Sequence, residues 1–269
     1  MQYDPIKRSL GNVFNKNPFL RKLFYALLDL LLLRSWHIHK QLKNWEKGIK
    51  TGEPVILDAG AGFGQYSCWM GSRIPAAKIT AVDVKTEQVE DCNSFVQATA
   101  LTNVRFQVGD LLEYKIPNTY DLILSVDVME HILEDTLVFR NFQESLKPGG
   151  MLLISTPSDQ GGSDAHGEDD ASFIEEHVRN GYNTKEIEDK LRTSGFSKVE
   201  VSYSYGKPGQ IAWRLSMKYP ILALGFSKFF FIILPFYYAL FYPFCFFLNY
   251  LDTAISHPTG TGLIVKAWK

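Results

Sequence analysis

The stretch from Val55 to Gly64 constrains this chain more than any other: an apolar run, Val55, Ile56 and Leu57, passes through Asp58 and Ala59 into Gly60, Ala61, Gly62, Phe63 and Gly64. The run has the character of a buried parallel strand. The glycines let the backbone turn sharply and approach a ligand closely, which a Cβ would obstruct. Gln65 to Met70 is then expected to open a helix whose N-terminus faces that ligand. The spacing is G-x-G-x-G, not the G-x-G-x-x-G of dinucleotide sites, and any tight strand-to-helix turn can use glycines. The residues downstream of the turn decide which ligand it serves.

Residues 76–83 form a second short strand ending in Asp83. Asp83 lies about twenty residues beyond the glycines, where a doubly wound sheet places the acid that accepts from a ribose diol. Asp is equally common as the cap of the next helix; beside the glycine turn, the ribose role is the stronger expectation. Further strands are expected over 103–111, ending at Gly109, Asp110 and Leu111, over 120–127, ending at Ser125, Val126 and Asp127, and over 151–156 after the turn Leu146–Gly150. Strands alternating with helical stretches predict a parallel α/β sheet covered on both faces. Ligands of such sheets sit beyond the carboxyl ends of the strands. Asp58, Asp83, Asp110 and Asp127 fall there, and four carboxylates suit a cationic, hydroxyl-rich ligand better than a pyrophosphate.

These residues resemble class I S-adenosylmethionine-dependent methyltransferases over residues 50–206 and the last ten. The resemblance implies a Rossmann-like seven-stranded sheet, with residues 197–205 and 262–268 as an antiparallel sixth and seventh strand. It implies S-adenosylmethionine as cofactor. Asp58, Gly60, Ala61, Gly62 and Gly64 would then border its methionine side, and Asp83, with Val84, its ribose. Gly109, Asp110 and Leu111 would flank the adenine, and Ser125, Val126 and Asp127 would lie near the sulfonium. A dehydrogenase is the poorer match, since nothing here handles a pyrophosphate.

Asp127, Glu130 and His131 look like the acid-x-x-Glu-His signature of ubiquinone-biosynthesis O-methyltransferases, which can hold a divalent metal. Asp replaces Glu at its first position, such clusters also serve as helix-start structure, and no metal is assigned. A second stretch similar to that group contains His177, after a polar Gly- and Asp-rich segment (157–171) that reads either as a lid or as a solvated acidic loop. A hydroxyl acceptor needs a base, whereas a neutral amine does not. His131 and His177 are the candidate bases. O-methylation of a small or lipid-like acceptor is the first expectation. C- or N-methylation, a non-catalytic cofactor binder and an aminopropyl transferase are the alternatives.

Charge divides the chain in three. Residues 1–50 hold 10 basic against 3 acidic side chains, residues 51–206 hold 12 against 25, and residues 207–269 hold 6 against 1. The basic flanks are also the most apolar parts, which points to an anionic membrane surface in preference to nucleic acid. Residues 1–50 form a basic helical extension in which Leu20, Phe24, Leu27, Leu31, Ile38, Leu42, Trp45 and Ile49 recur at helical spacing, with Arg21, Lys22, Arg34, Lys40, Lys43 and Lys47 beside them. It either packs on the sheet or lies at an interface. Residues 207–258 interrupt a domain made of 51–206 and 259–269, and 229–248 are twenty uncharged residues. Pro235 and Pro243 are expected to break a continuous helix there. A membrane-dipping helical hairpin is the leading expectation, with a buried cap or dimer interface as the other. Three cysteines without paired spacing suggest a reducing compartment, and no signal peptide is evident. Together these give a cytoplasmic protein, peripheral or monotopic at the membrane face, of undetermined oligomeric state.

Overall fold

A computed structural model describes residues 17–49, 52–161, 178–227 and 229–269. Seven strands form one sheet: β1 (Val55–Ala59), β2 (Lys78–Asp83), β3 (Val104–Val108), β4 (Tyr120–Val126), β5 (Leu146–Pro157), β6 (Lys198–Ser204) and β7 (Gly262–Trp268). Their order is β3-β2-β1-β4-β5-β7-β6, and β7 alone runs antiparallel, to both β5 and β6. This is the Rossmann-like seven-stranded fold that the sequence predicts.

Both faces of the sheet are covered, so its central strands are apolar at nearly every position instead of alternating. Ile56, Leu122, Leu124, Met151 and Leu153 point to one side. There they meet α2 (Leu33–Gly48), α3 (Gln65–Arg73) and α4 (Thr86–Ala98) through Ile38, Leu42, Met70, Cys92 and Phe95, with Tyr25 of α1 (Pro18–Leu31) at the margin. Leu57, Ile123, Leu152 and Ile154 point the other way. They meet Val138, Phe139 and Phe142 of α5 (Asp135–Ser145) and Ile187 and Leu191 of α6 (Thr184–Thr193). Each such side chain contributes about 1.5–3 kcal/mol by leaving water.

The N-terminal extension is broken at Leu32, an extended residue between α1 and α2. Its apolar positions divide: Ile38 and Leu42 are fully buried and Trp45 packs beside them, whereas Leu27 stays exposed. Between β6 and β7 the chain forms α7 (Lys207–Trp213), a π-helical segment (Arg214–Lys218), α8 (Tyr219–Phe226) and α9 (Phe230–Ala254). Contrary to the sequence expectation, Pro235 and Pro243 do not break α9. Each removes one N–H, and the carbonyls left without their usual donors belong to Phe231 and Ala239, both exposed residues.

Register fixes where this excursion sits. Ser204 and Pro157 both pair with Gly262. The chain therefore leaves the sheet and returns to it at the carboxyl ends of the parallel strands. Asp252 of α9 anchors it there. Its Oδ1 accepts from His37 Nε2 at 2.8 Å and from the Tyr205 amide at 3.2 Å, and its Oδ2 accepts from the Gly209 amide at 2.9 Å. His257 Nε2 lies 3.2 Å from Oδ2 and bonds the Asp252 carbonyl oxygen at 2.8 Å.

Candidate cofactor and acceptor crevice

The glycine turn lies against the end of β2. Gly60 and Ala61 donate backbone N–H groups to the Val82 carbonyl at 2.8 and 3.0 Å. Gly60 has φ +80°, and a Cβ there would meet Val128 Cγ2 at 2.3 Å. Gly62 has φ +51° and open space where a Cβ would stand. The two positions do different work: Gly60 permits close packing against the segment after β4, and Gly62 leaves bare backbone facing the crevice.

Asp83 joins the two loops. Its Oδ2 accepts from Gly62 N at 2.8 Å and its Oδ1 from Lys85 N at 2.9 Å. It thus shapes the turn and the entry to α4 at once. A carboxylate has about four acceptor sites, so two backbone bonds leave capacity for hydroxyl donors. Val84, next in the chain, is 60 % exposed.

Asp58 is not on the crevice wall, where the sequence placed it with the other three carboxylates. It shares the inward face of β1 with Ile56, is 2 % exposed, and accepts from Ser67 Oγ of α3. Burial pushes its carboxyl up to about 6, with the Ser67 bond opposing and the nearby Asp83 charge adding to the rise. Asp58 therefore supports the turn from below. Asp110 is exposed and caps its own loop, accepting from Leu112 N at 2.9 Å, while Leu111 is buried beside it and Gly109 packs on Val82. Ser125 is fully buried, and its Oγ has no hydrogen-bond partner among the described residues.

Asp127 follows β4 with φ +52°, a left-handed conformation uncommon outside glycine and typical of strained functional turns. Its Oδ2 pairs with Arg34 Nη1, from the first turn of α2. The Arg34 backbone N–H donates to Tyr205 Oη at 3.0 Å. Ser35 Oγ and Tyr66 Oη, 3.2 Å apart, continue the polar wall, and Gln65 Nε2 donates to Ser35 Oγ at 3.0 Å and to Asp29 Oδ1 at 2.6 Å. Arg21 is 3 % exposed: it donates to the Phe63 and Asp91 carbonyls, both at 3.0 Å, clamping α1 onto the loop between Gly62 and Gly64. The sequence placed Arg21 and Arg34 beside the apolar positions without a direction. Both turn inward. Helical spacing gave no sign of this, although both lie within one turn of apolar positions that the core covers.

Glu130 is buried and accepts from Thr156 Oγ1 at 3.0 Å; burial pushes its carboxyl up to about 7. His131 is exposed at the end of the short 3-10 turn Met129–His131. Asp127, Glu130 and His131 thus face different surroundings, and among the described residues no three His, Cys, Asp or Glu side chains gather as a metal site requires. His177 lies outside the described residues. Its neighbour Val178 donates to the Glu130 carbonyl at 3.0 Å, and Arg179 pairs with Asp135. These contacts bring Val178 and Arg179 beside the segment from Glu130 to Asp135.

Comparison with known proteins finds relatives of the domain that holds this arrangement. Residues 56–150 match the family model described as "Methyltransferase domain". The (S)-coclaurine N-methyltransferase of Thalictrum flavum subsp. glaucum is 31 % identical over 106 residues, covering 39 % of this chain and 29 % of that protein. A ubiquinone biosynthesis O-methyltransferase of Xanthomonas euvesicatoria pv. vesicatoria (strain 85-10) is 26 % identical over 180 residues, covering 64 % and 74 %. The chain spans less than two fifths of the first curated relatives that it matches. The Haemonchus contortus phosphoethanolamine N-methyltransferase 2, solved in complex with S-adenosyl-L-methionine, shares the fold with a TM-score of 0.62 at 21 % identity, covering 91 % of this chain and 60 % of that one. Residues 56–150 of this chain thus match a methyltransferase domain, carried on the fold of the solved methyltransferase.

Proposed function

We propose that the chain binds S-adenosylmethionine beyond the carboxyl ends of β1–β4 and transfers its methyl group to a small or lipid-like acceptor met at a membrane surface. One observation carries the reading: Asp83 holds the bare Gly62 backbone open toward the crevice while keeping acceptor capacity of its own. Bound there, the cofactor supplies a methyl group on a sulfonium, reactive to any in-line nucleophile. The chain's own residues then have separable tasks. Asp83, beside Val84, accepts from the ribose hydroxyls. The backbone of Gly60, Ala61, Gly62 and Gly64, supported by Asp58, borders the methionine side. Gly109, Asp110 and Leu111 flank the adenine, with the exposed Asp110 carboxylate accepting from its amino group. Val126 and Asp127 line the approach to the methyl group, with the buried Ser125 behind them. Aligning the acceptor is a large part of such catalysis, and Arg34, paired with Asp127, is the residue assigned to it.

The matching relatives include both N- and O-methyltransferases. For a hydroxyl acceptor, His131 and His177 are the bases, and removing either is expected to slow turnover by about 100-fold. Cofactor affinity should change little. For an amine acceptor the same substitutions should leave turnover nearly intact. The test is transfer of labelled methyl from S-adenosylmethionine to lipid extracts, phenols and amines, comparing wild type with His131→Ala and His177→Ala. Full activity of both variants on a hydroxyl acceptor would remove the base assignment, and labelling of none of the three acceptor classes would count against transfer itself. The free thiols Cys68, Cys92 and Cys245 support a cytoplasmic setting.

A further inference from the structure

Two helices far apart in sequence present exposed apolar stripes with the same spacing. On α9, Ile232, Phe236, Leu240, Phe244 and Phe247 recur every three or four residues and are between 52 and 75 % exposed. On α1, Phe19, Leu23, Leu27 and Leu30 do the same at 39 to 71 %. Leu222 and Phe226 of α8 add to the surface at 58 and 88 %. The two stripes adjoin where Tyr242 Oη of α9 donates to the Leu30 carbonyl and the Trp36 ring meets Phe246 edge-on at 4.8 Å. A soluble monomer rarely leaves more than a few hundred Å² of contiguous apolar surface uncovered.

The opposite side of α9 belongs to the protein. Tyr237 and Tyr238 donate to the Leu215 and Ser216 carbonyls, both at 2.7 Å, and Cys245, Leu248, Asn249 and Asp252 are buried. The helix is long and apolar enough to cross a bilayer, yet from Tyr237 onward it is held to Leu215 and Ser216 of its own excursion and to Leu30, Trp36 and His37 of the N-terminal helices. Pro235 and Pro243 also leave the carbonyls of exposed Phe231 and Ala239 short of a donor. Hydrated headgroups can satisfy such groups and a hydrocarbon core cannot. A stripe on one face with these properties suits a helix lying in the interface.

Charge selects the occupant. Residues 1–50 hold an excess of seven basic residues, Arg21 and Arg34 among them turned inward, and residues 207–258 an excess of three, while residues 51–206 with 259–269 hold an excess of eleven acidic ones. Such a molecule is attracted to an anionic leaflet by the apolar side and repelled elsewhere. Topology places the crevice at the same end: the excursion leaves at Ser204 and returns at Gly262, and Arg34, just after the α1–α2 break, pairs with Asp127. We infer that α1 and the α7–α9 hairpin form one platform that docks in the plane of an anionic lipid surface, with the Asp127 end of the crevice beside it. This deepens the methyl-transfer reading by making lipid the source of the acceptor, although docking itself does not depend on that reading.

The test is flotation of the full chain with vesicles of phosphatidylcholine, with and without phosphatidylglycerol, at low and high salt. Partitioning should be at least about 10-fold stronger onto the anionic vesicles and should weaken with salt. The paired substitutions Phe236→Ser with Leu240→Ser, and separately Leu23→Ser with Leu27→Ser, should each lower partitioning by about 10-fold or more, with calorimetric S-adenosylmethionine affinity and the thermal transition unchanged. Wild type that ignores both kinds of vesicle overturns the platform. So does partitioning that survives both paired substitutions, or a dimer in sedimentation that the same substitutions dissociate without any vesicle binding. Vesicle binding without cofactor binding would keep the platform and defeat the methyltransferase reading; the reverse would do the opposite.

Discussion

Asp83→Ala should raise the dissociation constant for S-adenosylmethionine by about 100-fold or more. The substitution removes two things together. It deletes the carboxylate proposed to accept from the ribose hydroxyls, where charge-assisted hydrogen bonds are roughly twice as strong as neutral ones. It also releases the Gly62 amide, now held at 2.8 Å, and the Lys85 amide, held at 2.9 Å. Asp83→Asn separates the two effects, because its side-chain oxygen can still hold the Gly62 amide while the charge is gone. It should fall between wild type and Ala, near a 10-fold loss. Affinities measured by calorimetry with the demethylated product avoid turnover during the titration. If Asp83→Ala binds within about threefold of wild type, Asp83 is a helix-entry cap and the ribose assignment is wrong.

Asp252→Ala should destabilise the fold by about 3–5 kcal/mol, the usual cost of leaving a buried polar network without its anion. The loss strands the Tyr205 and Gly209 amides and the His37 ring, which all converge on one fully buried carboxylate. Burial alone would raise that carboxyl, but the hydrogen bond and charge of His37, the charge of His257 and the Gly209 amide hold it below the ordinary range. A carboxyl lowered by folding stabilises the native state above its unfolded value, near pH 4. That contribution is lost as pH falls through the folded value. Urea denaturation should therefore show a large gap between wild type and Asp252→Ala at pH 7 that narrows below pH 4. Hydrogen exchange should speed up first in residues 245–254, since the network is a buried tie of α9 to α2. Equal stability of the two proteins at pH 7 would show that apolar packing alone retains the helix.

The sheet was legible in the sequence because its signals are local. Strand runs of β-branched and apolar residues, each ending in a glycine or an acid, predict both the elements and the end of the sheet where the crevice lies. The antiparallel β6–β7 pair followed from the family resemblance and not from periodicity. What local pattern could not convey was direction and depth. Asp58 shares the inward face of β1 with Ile56, so it lies beneath the turn instead of on the crevice wall. Arg21 and Arg34 lie in a segment that the sequence reads equally as packed on the sheet or interfacial, and backbone carbonyls of Phe63 and Asp91 draw in the first and the carboxylate of Asp127 the second. Those partners lie 42, 70 and 93 residues away, beyond any pattern window. The prolines of α9 misled for a related reason: the pattern shows that Pro235 and Pro243 remove donors, but not that Phe231 and Ala239, four residues before them, are exposed.

Titration of S-adenosylmethionine, its demethylated product and NAD into wild-type protein tests the central claim most directly. Saturable binding of the first two at one site per chain, with no saturable heat from NAD, is the expected result. Saturable binding of NAD alone, or of none of the three, would contradict it.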